Sequence, residues 1–360
     1  MAAGTRERNY DLLRVVSMFA IVVLHISGVW VSGMMADVAQ GDTALWHPQA
    51  LCAVNSLVRF AVPCFLMLSG AFLLGNPKNA SFPGFYRKSL FRIVIPTLLF
   101  TAFYLAWQAV LLVWLGVGSP EQIFWSAVRG APSYHMWYMY MLIVAYACVP
   151  FLVRFAQTVS VRAFACAAFG FLLIAMACRW TSGDPWANWD IGQGVEYAGY
   201  FMAGYAIRRS ARKGTAGGIA LVAAGAVLFL GIARLECAYQ VMTGGKGPGI
   251  WANGVVEPFC LPVTAASLLV FAGFSKLDVR LCGKRRLLDG MARLSFAVYL
   301  VHAFVLDLAQ RLMGLAGMPL RQLDWLVWLP ALFVVVSVAS FGLAALYQHW
   351  YDRCIMSRIR

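Results

Sequence analysis

Apolar runs of roughly 18 to 25 residues recur from one end of the sequence to the other, and an α-helix of that length is what it takes to cross about 30 Å of hydrocarbon. They lie at 12–34, 51–74, 91–115, 136–155, 160–178, 193–207, 216–233, 254–274, 291–312 and 326–349. With 61% of the 360 residues hydrophobic and only 12% charged, one globular core cannot hide them. A strand barrel would instead show segments of about ten residues alternating apolar and polar, whereas stretches such as 219–232 are apolar on every side. The sequence therefore predicts an all-α, polytopic membrane bundle of about ten transmembrane helices. Its longest polar connections, 35–50, 116–135 and 275–290, are short, so residues 1–360 are expected to form a single transmembrane domain with no separate soluble domain.

Lys and Arg flanking a span resist translocation and so set its direction. With the N-terminus inside, the inner segments collect most of these residues, and the outer ones hold only Arg129, Arg179, Arg234, Lys246, Arg311 and Arg321. This bias predicts both termini in the cytoplasm. The same topology accounts for the net charge of +14, which is scattered over short loops rather than gathered as a nucleic-acid patch. The first apolar run is a full span without a small-residue cleavage site after it, so it is expected to be retained. The nine cysteines form no CxxC pair and sit mostly inside spans, as Cys64, Cys148, Cys166 and Cys260 do, which points to neither a metal nor a disulfide.

Ionisable side chains inside a span cost about 2.5 kcal/mol or more on insertion scales, so each is a candidate functional group. Arg14 and His25 are separated by almost three helical turns. They share one stripe, roughly 16 Å apart along the axis, with Arg14 near the inner surface. A guanidinium pairs with phosphate, and a neutral imidazole accepts a hydroxyl proton. That arrangement suits a donor with phosphates at the membrane surface and a reactive carbonyl further in, which is the form of acyl-coenzyme A. The plainer alternatives are a snorkelling topogenic arginine and a helix–helix hydrogen bond. In the ninth run Ser295, Tyr299 and His302 share one face, with His302 near mid-membrane. Arg59, in the second run, needs a partner such as Glu196, Glu257 or a bound anion.

Glu196 and Glu257 open the sixth and eighth runs near the outer face, where each can orient a histidine, bind sugar hydroxyls or simply be solvated. His135 and Trp137 open the fourth run and are candidates for acceptor contact, His135 being equally readable as a solvated histidine at a helix N-terminus. Tryptophans beside carboxylates in the outer connections, Trp46 near Asp42 and Trp189 next to Asp190, suit a sugar whose apolar face stacks on a ring. They equally suit the interfacial aromatic belt.

Several stretches resemble the acyltransferase-3 family of bacterial integral membrane acyltransferases. They are Asp11-Leu12-Leu13-Arg14 with His25, Val62-Pro63-Cys64-Phe65-Leu66-Met67-Leu68-Ser69-Gly70, Arg92-Ile93-Val94-Ile95-Pro96, His135-Met136-Trp137-Tyr138 and Val298-Tyr299-Leu300-Val301-His302. They occur in family order from the first run to the ninth. The resemblance implies an inner-membrane enzyme that moves an acyl group, usually acetyl from acetyl-coenzyme A, to a hydroxyl of an envelope glycan or lipid-linked sugar. It implies that Arg14 and His25 are a functional pair, and that Ser69-Gly70, Tyr299 and His302 line the same site. Relatives often carry two arginines three apart entering the third helix. Here Ser89 precedes Arg92, with Arg87 and Lys88 alongside as further phosphate candidates.

On this reading Arg14, Lys88 and Arg92 hold the donor and His25 is the general base, without a metal. Acyl-coenzyme A, a glycan acceptor and membrane lipid are the expected partners. A monomer and a homo-oligomer fit the sequence equally. The rivals are a transporter or flippase of a lipid-linked sugar, whose buried Arg and His would bind pyrophosphate or relay protons, and a helical scaffold for other envelope enzymes.

Overall fold

The computed structural model describes residues 7–39, 46–182, 197–243, 260–279 and 285–358. Among the described residues there are helices and no strands. In chain order the α-helices are α1 (Arg8–Ala39), α2 (Trp46–Leu57), α3 (Ala61–Leu73), α4 (Phe82–Ser89), α5 (Ile95–Leu115), α6 (Pro120–Val128) and α7 (Trp137–Thr158). They continue with α8 (Val161–Ser182), α9 (Ala198–Ser210), α10 (Thr215–Thr243), α11 (Leu261–Lys276), α12 (Arg285–Leu315) and α13 (Trp325–Cys354).

Among the described residues, seven stretches are long and apolar enough to cross a membrane: Arg8–Val31, Trp46–Leu73, Phe82–Leu115, Trp137–Thr158, Thr215–Ala238, Arg285–Leu315 and Trp325–Cys354. The three remaining predicted runs fall on α8, α9 and α11; residues 193–196 and 254–259 of those runs lie outside the described residues. The outer faces are apolar, as with Trp114 and Val338, exposed to 80% and 68%. Such faces need hydrocarbon as their solvent. The chain is an all-α, multi-pass membrane bundle.

By its contacts the chain divides into two compact units, Met1–Leu68 with Ile207–Gln348, and Ser69–Ala206 with His349–Arg360. In the first, α1 packs against α2, α10, α11 and α12. Val22, Ile26 and Trp30 of α1 join Leu51 of α2, Val305 and Leu306 of α12, and Leu332 and Val336 of α13 in one buried cluster. The Trp30 indole N–H, which has no water to meet in this core, donates to the Leu323 carbonyl at 3.0 Å.

α10 and α11 approach backbone to backbone because glycines face each other. A Cβ on Gly273 would lie 2.7 Å from the Gly218 carbonyl oxygen, and one on Gly225 would lie 3.0 Å from that of Ala266. Small residues at such crossings are how helices gain packing where lipid removes the hydrophobic drive. The last carbonyls of α11 are then satisfied by side chains. Asn9 Nδ2 donates to Phe274 O at 3.0 Å, and Lys213 Nζ donates to Ser275 O at 3.2 Å.

The run predicted at 51–74 is two helices, not one. Pro63 lacks an N–H, and its ring clashes with the carbonyl of the residue four earlier, Arg59. The chain therefore passes residues 58–60 by tight turns, Arg59 N to Ser56 O at 3.1 Å and Ala61 N to Val58 O at 3.2 Å.

In the second unit α4 runs into α5 through a π-helical turn, Leu90–Val94, closed by the Ile95 N–H on the Leu90 carbonyl. Pro96 stands at the start of α5, where a missing N–H costs nothing, and Gly116, at φ 62°, ends it. Thr101 and Tyr140 share a hydrogen bond of 2.6 Å between α5 and α7, and Tyr351 donates to the Phe91 carbonyl. At Gly70 of α3 a Cβ would fall 1.7 Å from the Phe201 carbonyl oxygen of α9, a crossing that only glycine permits.

Candidate active site

Packing of α1 against α12 brings together two histidines far apart in sequence. The rings of His25 and His302 stack, with centroids 5.2 Å apart and planes 26° from parallel. Both are on stretches apolar enough to span the membrane, Arg8–Val31 and Arg285–Leu315. His302 is 1% exposed, while His25 is only half-buried, so one imidazole of the pair remains reachable and the other supports it.

The orientation of His302 is fixed by its own helix. Its Nδ1 lies 2.6 Å from the Tyr299 carbonyl oxygen. A carbonyl only accepts, so Nδ1 carries the proton and the lone pair of the neutral ring belongs to Nε2. The Tyr299 ring, itself buried, lies 5.5 Å from that of His302. Ser295, on the same predicted stripe, instead donates its hydroxyl to the Ala292 carbonyl at 2.9 Å.

α1 is continuous from Arg8 to Ala39, which keeps Arg14 and His25 on one stripe as predicted. The Arg14 guanidinium does not hang free: Nη1 is 3.5 Å from Oδ1 of Asp11, one turn earlier, and Asp11 is nearly buried while Arg14 is 33% exposed along its side chain. A nearly buried carboxylate thus holds a partly exposed guanidinium.

Further along α1, a polar chain leads to Arg59. The Ser27 hydroxyl donates to the Leu24 carbonyl at 3.1 Å, Asn55 Nδ2 donates to Ser27 Oγ at 2.9 Å, and Arg59 Nε donates to Asn55 Oδ1 at 3.1 Å. The Arg59 charge also feels Glu236 of α10. Glu236, Asn55 and Ser27 escape the sequence reading. For Asn55 a signal existed, since an amide inside the apolar stretch 51–58 and four residues before Arg59 invites an i, i+4 contact. For Glu236 there was none short of the packing. Glu196 and Glu257 lie outside the described residues.

The other predicted residues belong to the second unit. Ser69 is half-buried on α3 beside Gly70. Arg87 and Lys88, at the end of α4, and Arg92, in the π turn, are all exposed. Ser89 between them is buried and returns its hydroxyl to the Phe85 carbonyl at 3.0 Å. His135 is 1% exposed, with Nδ1 3.1 Å from the Ser133 hydroxyl and its ring edge-on to Tyr104. The Trp137 ring lies 5.7 Å from that of Tyr197.

Among the described residues the protein is thus a helical membrane bundle in which two imidazoles stack within apolar spans. Residues 7–345 match the family model described as an acyltransferase domain, so the chain belongs to the acyltransferase-3 family and is a membrane acyltransferase. No curated protein and no solved structure matches it.

Proposed function

We propose that the protein is an O-acyltransferase that moves an acetyl group from cytoplasmic acetyl-coenzyme A to a hydroxyl of an envelope glycan or lipid-linked sugar, with His25 as general base. The observation that carries this reading is the stacked pair of His25 and His302 within two apolar helices. His25, the more accessible ring, takes the proton of the acceptor hydroxyl as its oxygen attacks the thioester carbonyl carbon. The C–S bond then breaks, and the coenzyme A sulfur leaves with the proton that the imidazolium returns, so no covalent acyl-enzyme is required. His302, its Nδ1 proton committed to Tyr299, presents Nε2 as an acceptor that orients its neighbour or a substrate proton.

Cations for the donor's phosphates are available in each unit: Arg14, held by Asp11, in the first, and the exposed Arg87, Lys88 and Arg92 in the second. The stretches 62–70 and 135–138 are similar to the O-acetyltransferase of enterobacterial common antigen, which favours acetyl as the group and a glycan as the acceptor. Ser69, His135 and Trp137, with Glu196 and Glu257, remain the candidates for contacts to that acceptor in an inner-membrane enzyme.

The test is transfer of label from radiolabelled acetyl-coenzyme A to glycan in membrane vesicles, together with release of free coenzyme A thiol. A general base typically contributes about 10² to 10⁴ in rate, so His25→Ala should lose that much while still accumulating in the membrane. Near-normal turnover by this variant would overturn the assignment. Thiol released in step with acceptor modification distinguishes an acyltransferase from a carrier or scaffold, neither of which cleaves the thioester.

A further inference from the structure

Arg59 occupies an unusual place in the backbone. It stands in the break between α2 and α3, where Pro63 interrupts the helical ladder, and it is half-buried on a stretch apolar enough to span the membrane. A charge there is costly unless it is held and used. What holds it is a side chain of α2. Asn55 Oδ1 accepts from Arg59 Nε at 3.1 Å, and the same amide donates through Nδ2 to Ser27 Oγ at 2.9 Å, with the Leu24 carbonyl at 3.4 Å. Leu24 and Ser27 bracket His25 on α1. Asn55 is 4% exposed and Ser27 is fully buried, so water does not compete for these bonds.

We propose that Asn55 is a positioning residue of the acyl transfer: its amide ties the Arg59 guanidinium at the α2–α3 break to the turn of α1 that carries His25. An amide is suited to this because it accepts from a cation on one side and donates to a hydroxyl and a carbonyl on the other. The bond at Nε fixes the guanidinium to that amide, so Arg59, Asn55 and the α1 turn that carries His25 are held as one unit. Asn55 acts through that turn and needs no contact with substrate. This inference rests on the acyltransferase reading and deepens it.

The experiment uses the full chain in membrane vesicles with radiolabelled acetyl-coenzyme A and the acceptor glycan native to those vesicles, with rates normalised to protein present. Asn55→Ala is expected to lower the rate at saturating acetyl-coenzyme A about tenfold and to leave the KM for acetyl-coenzyme A unchanged, as for a coupled pair. Arg59→Ala should lose at least as much, and the double variant should be no slower than Arg59→Ala alone. Asn55→Asp, which keeps the oxygen that Arg59 uses but loses the donor to Ser27 and Leu24, should be about as slow as Asn55→Ala. Should Asn55→Ala not accumulate, Ser27→Ala, which removes the 2.9 Å support of the amide, is judged by the same absence of further loss in the Arg59→Ala background.

Losses that multiply in the double variant, a raised KM for acetyl-coenzyme A, or an Asn55→Asp as fast as the parent would each overturn the proposal. His25→Ala in the same vesicles separates this from the parent reading. If it is inactive, only the role of Asn55 falls; if it transfers acetyl normally, the site itself has been misassigned.

Discussion

His302 and Arg14 both depend on a neighbour on their own helix, and in each case the neighbour decides what the group can do. The Tyr299 carbonyl holds the Nδ1 proton of His302, so a ring that keeps the shape but lacks the nitrogens isolates the lone pair from the packing. His302→Phe should therefore accumulate normally and lose roughly 10²-fold or more in acetyl transfer, measured as labelled glycan at saturating donor. Turnover within a factor of two of the parent would reduce His302 to a packing residue. Arg14→Ala removes a charge-assisted contact, worth about 1.5–3 kcal/mol, and should weaken acetyl-coenzyme A binding by roughly tenfold or more in a direct titration. Unchanged affinity would return Arg14 to the role of a topology signal.

Both residues were legible in the sequence, because an ionisable group in an apolar run stands out without any knowledge of packing. The stacking of His25 on His302 was not legible: it follows from the register between α1 and α12, which periodicity along one helix does not encode. Asn55 left a signal, an amide four residues before Arg59, but its bond to Ser27 depends on how α2 packs on α1.

At the scale of helices, glycine placement sets the closest approaches. A Cβ on Gly273 would meet not only the Gly218 carbonyl oxygen at 2.7 Å but also the backbone N of Val222 at 3.0 Å, so neither neighbour has a rotamer by which to give way. Gly273→Val should push α10 from α11, with a cost on the order of 1–3 kcal/mol. The check is the temperature at which the detergent-purified protein loses its helical signal, against Gly231→Val on the open side of α10, where nothing lies within 4 Å. Equal melting of the two variants would show that the α10–α11 crossing tolerates separation. Helix positions themselves were read well from apolar length, since hydrocarbon thickness imposes a fixed span. Interruptions inside a span were read poorly. The break at 58–60 follows from a proline that membrane helices often absorb, and the π turn at Leu90–Val94 inserts a residue into a ladder without altering composition.

For the molecule as a whole, the direction of insertion decides which reaction is available. The proposed donor, acetyl-coenzyme A, is charged and cytosolic, so a site that takes its phosphates must open inward, and the proposed phosphate contact, Arg14, lies near the N-terminal end of α1. The cation-rich segments around Arg87–Arg92, Arg208–Lys213 and Lys276–Arg293 belong to the same side when spans alternate, and the few basic residues between the other ends, Arg129 and Arg321 among them, belong opposite. This pattern predicts that the N- and C-termini both face the cytoplasm. A fluorescent protein that matures only in the cytosol should report when fused after Arg360, and an alkaline phosphatase that is active only outside should report when fused in the 116–135 connection but not after Arg360. Phosphatase activity from the C-terminal fusion would invert the molecule. Arg14 would then meet the outer surface, and acetyl-coenzyme A could no longer be the donor it serves.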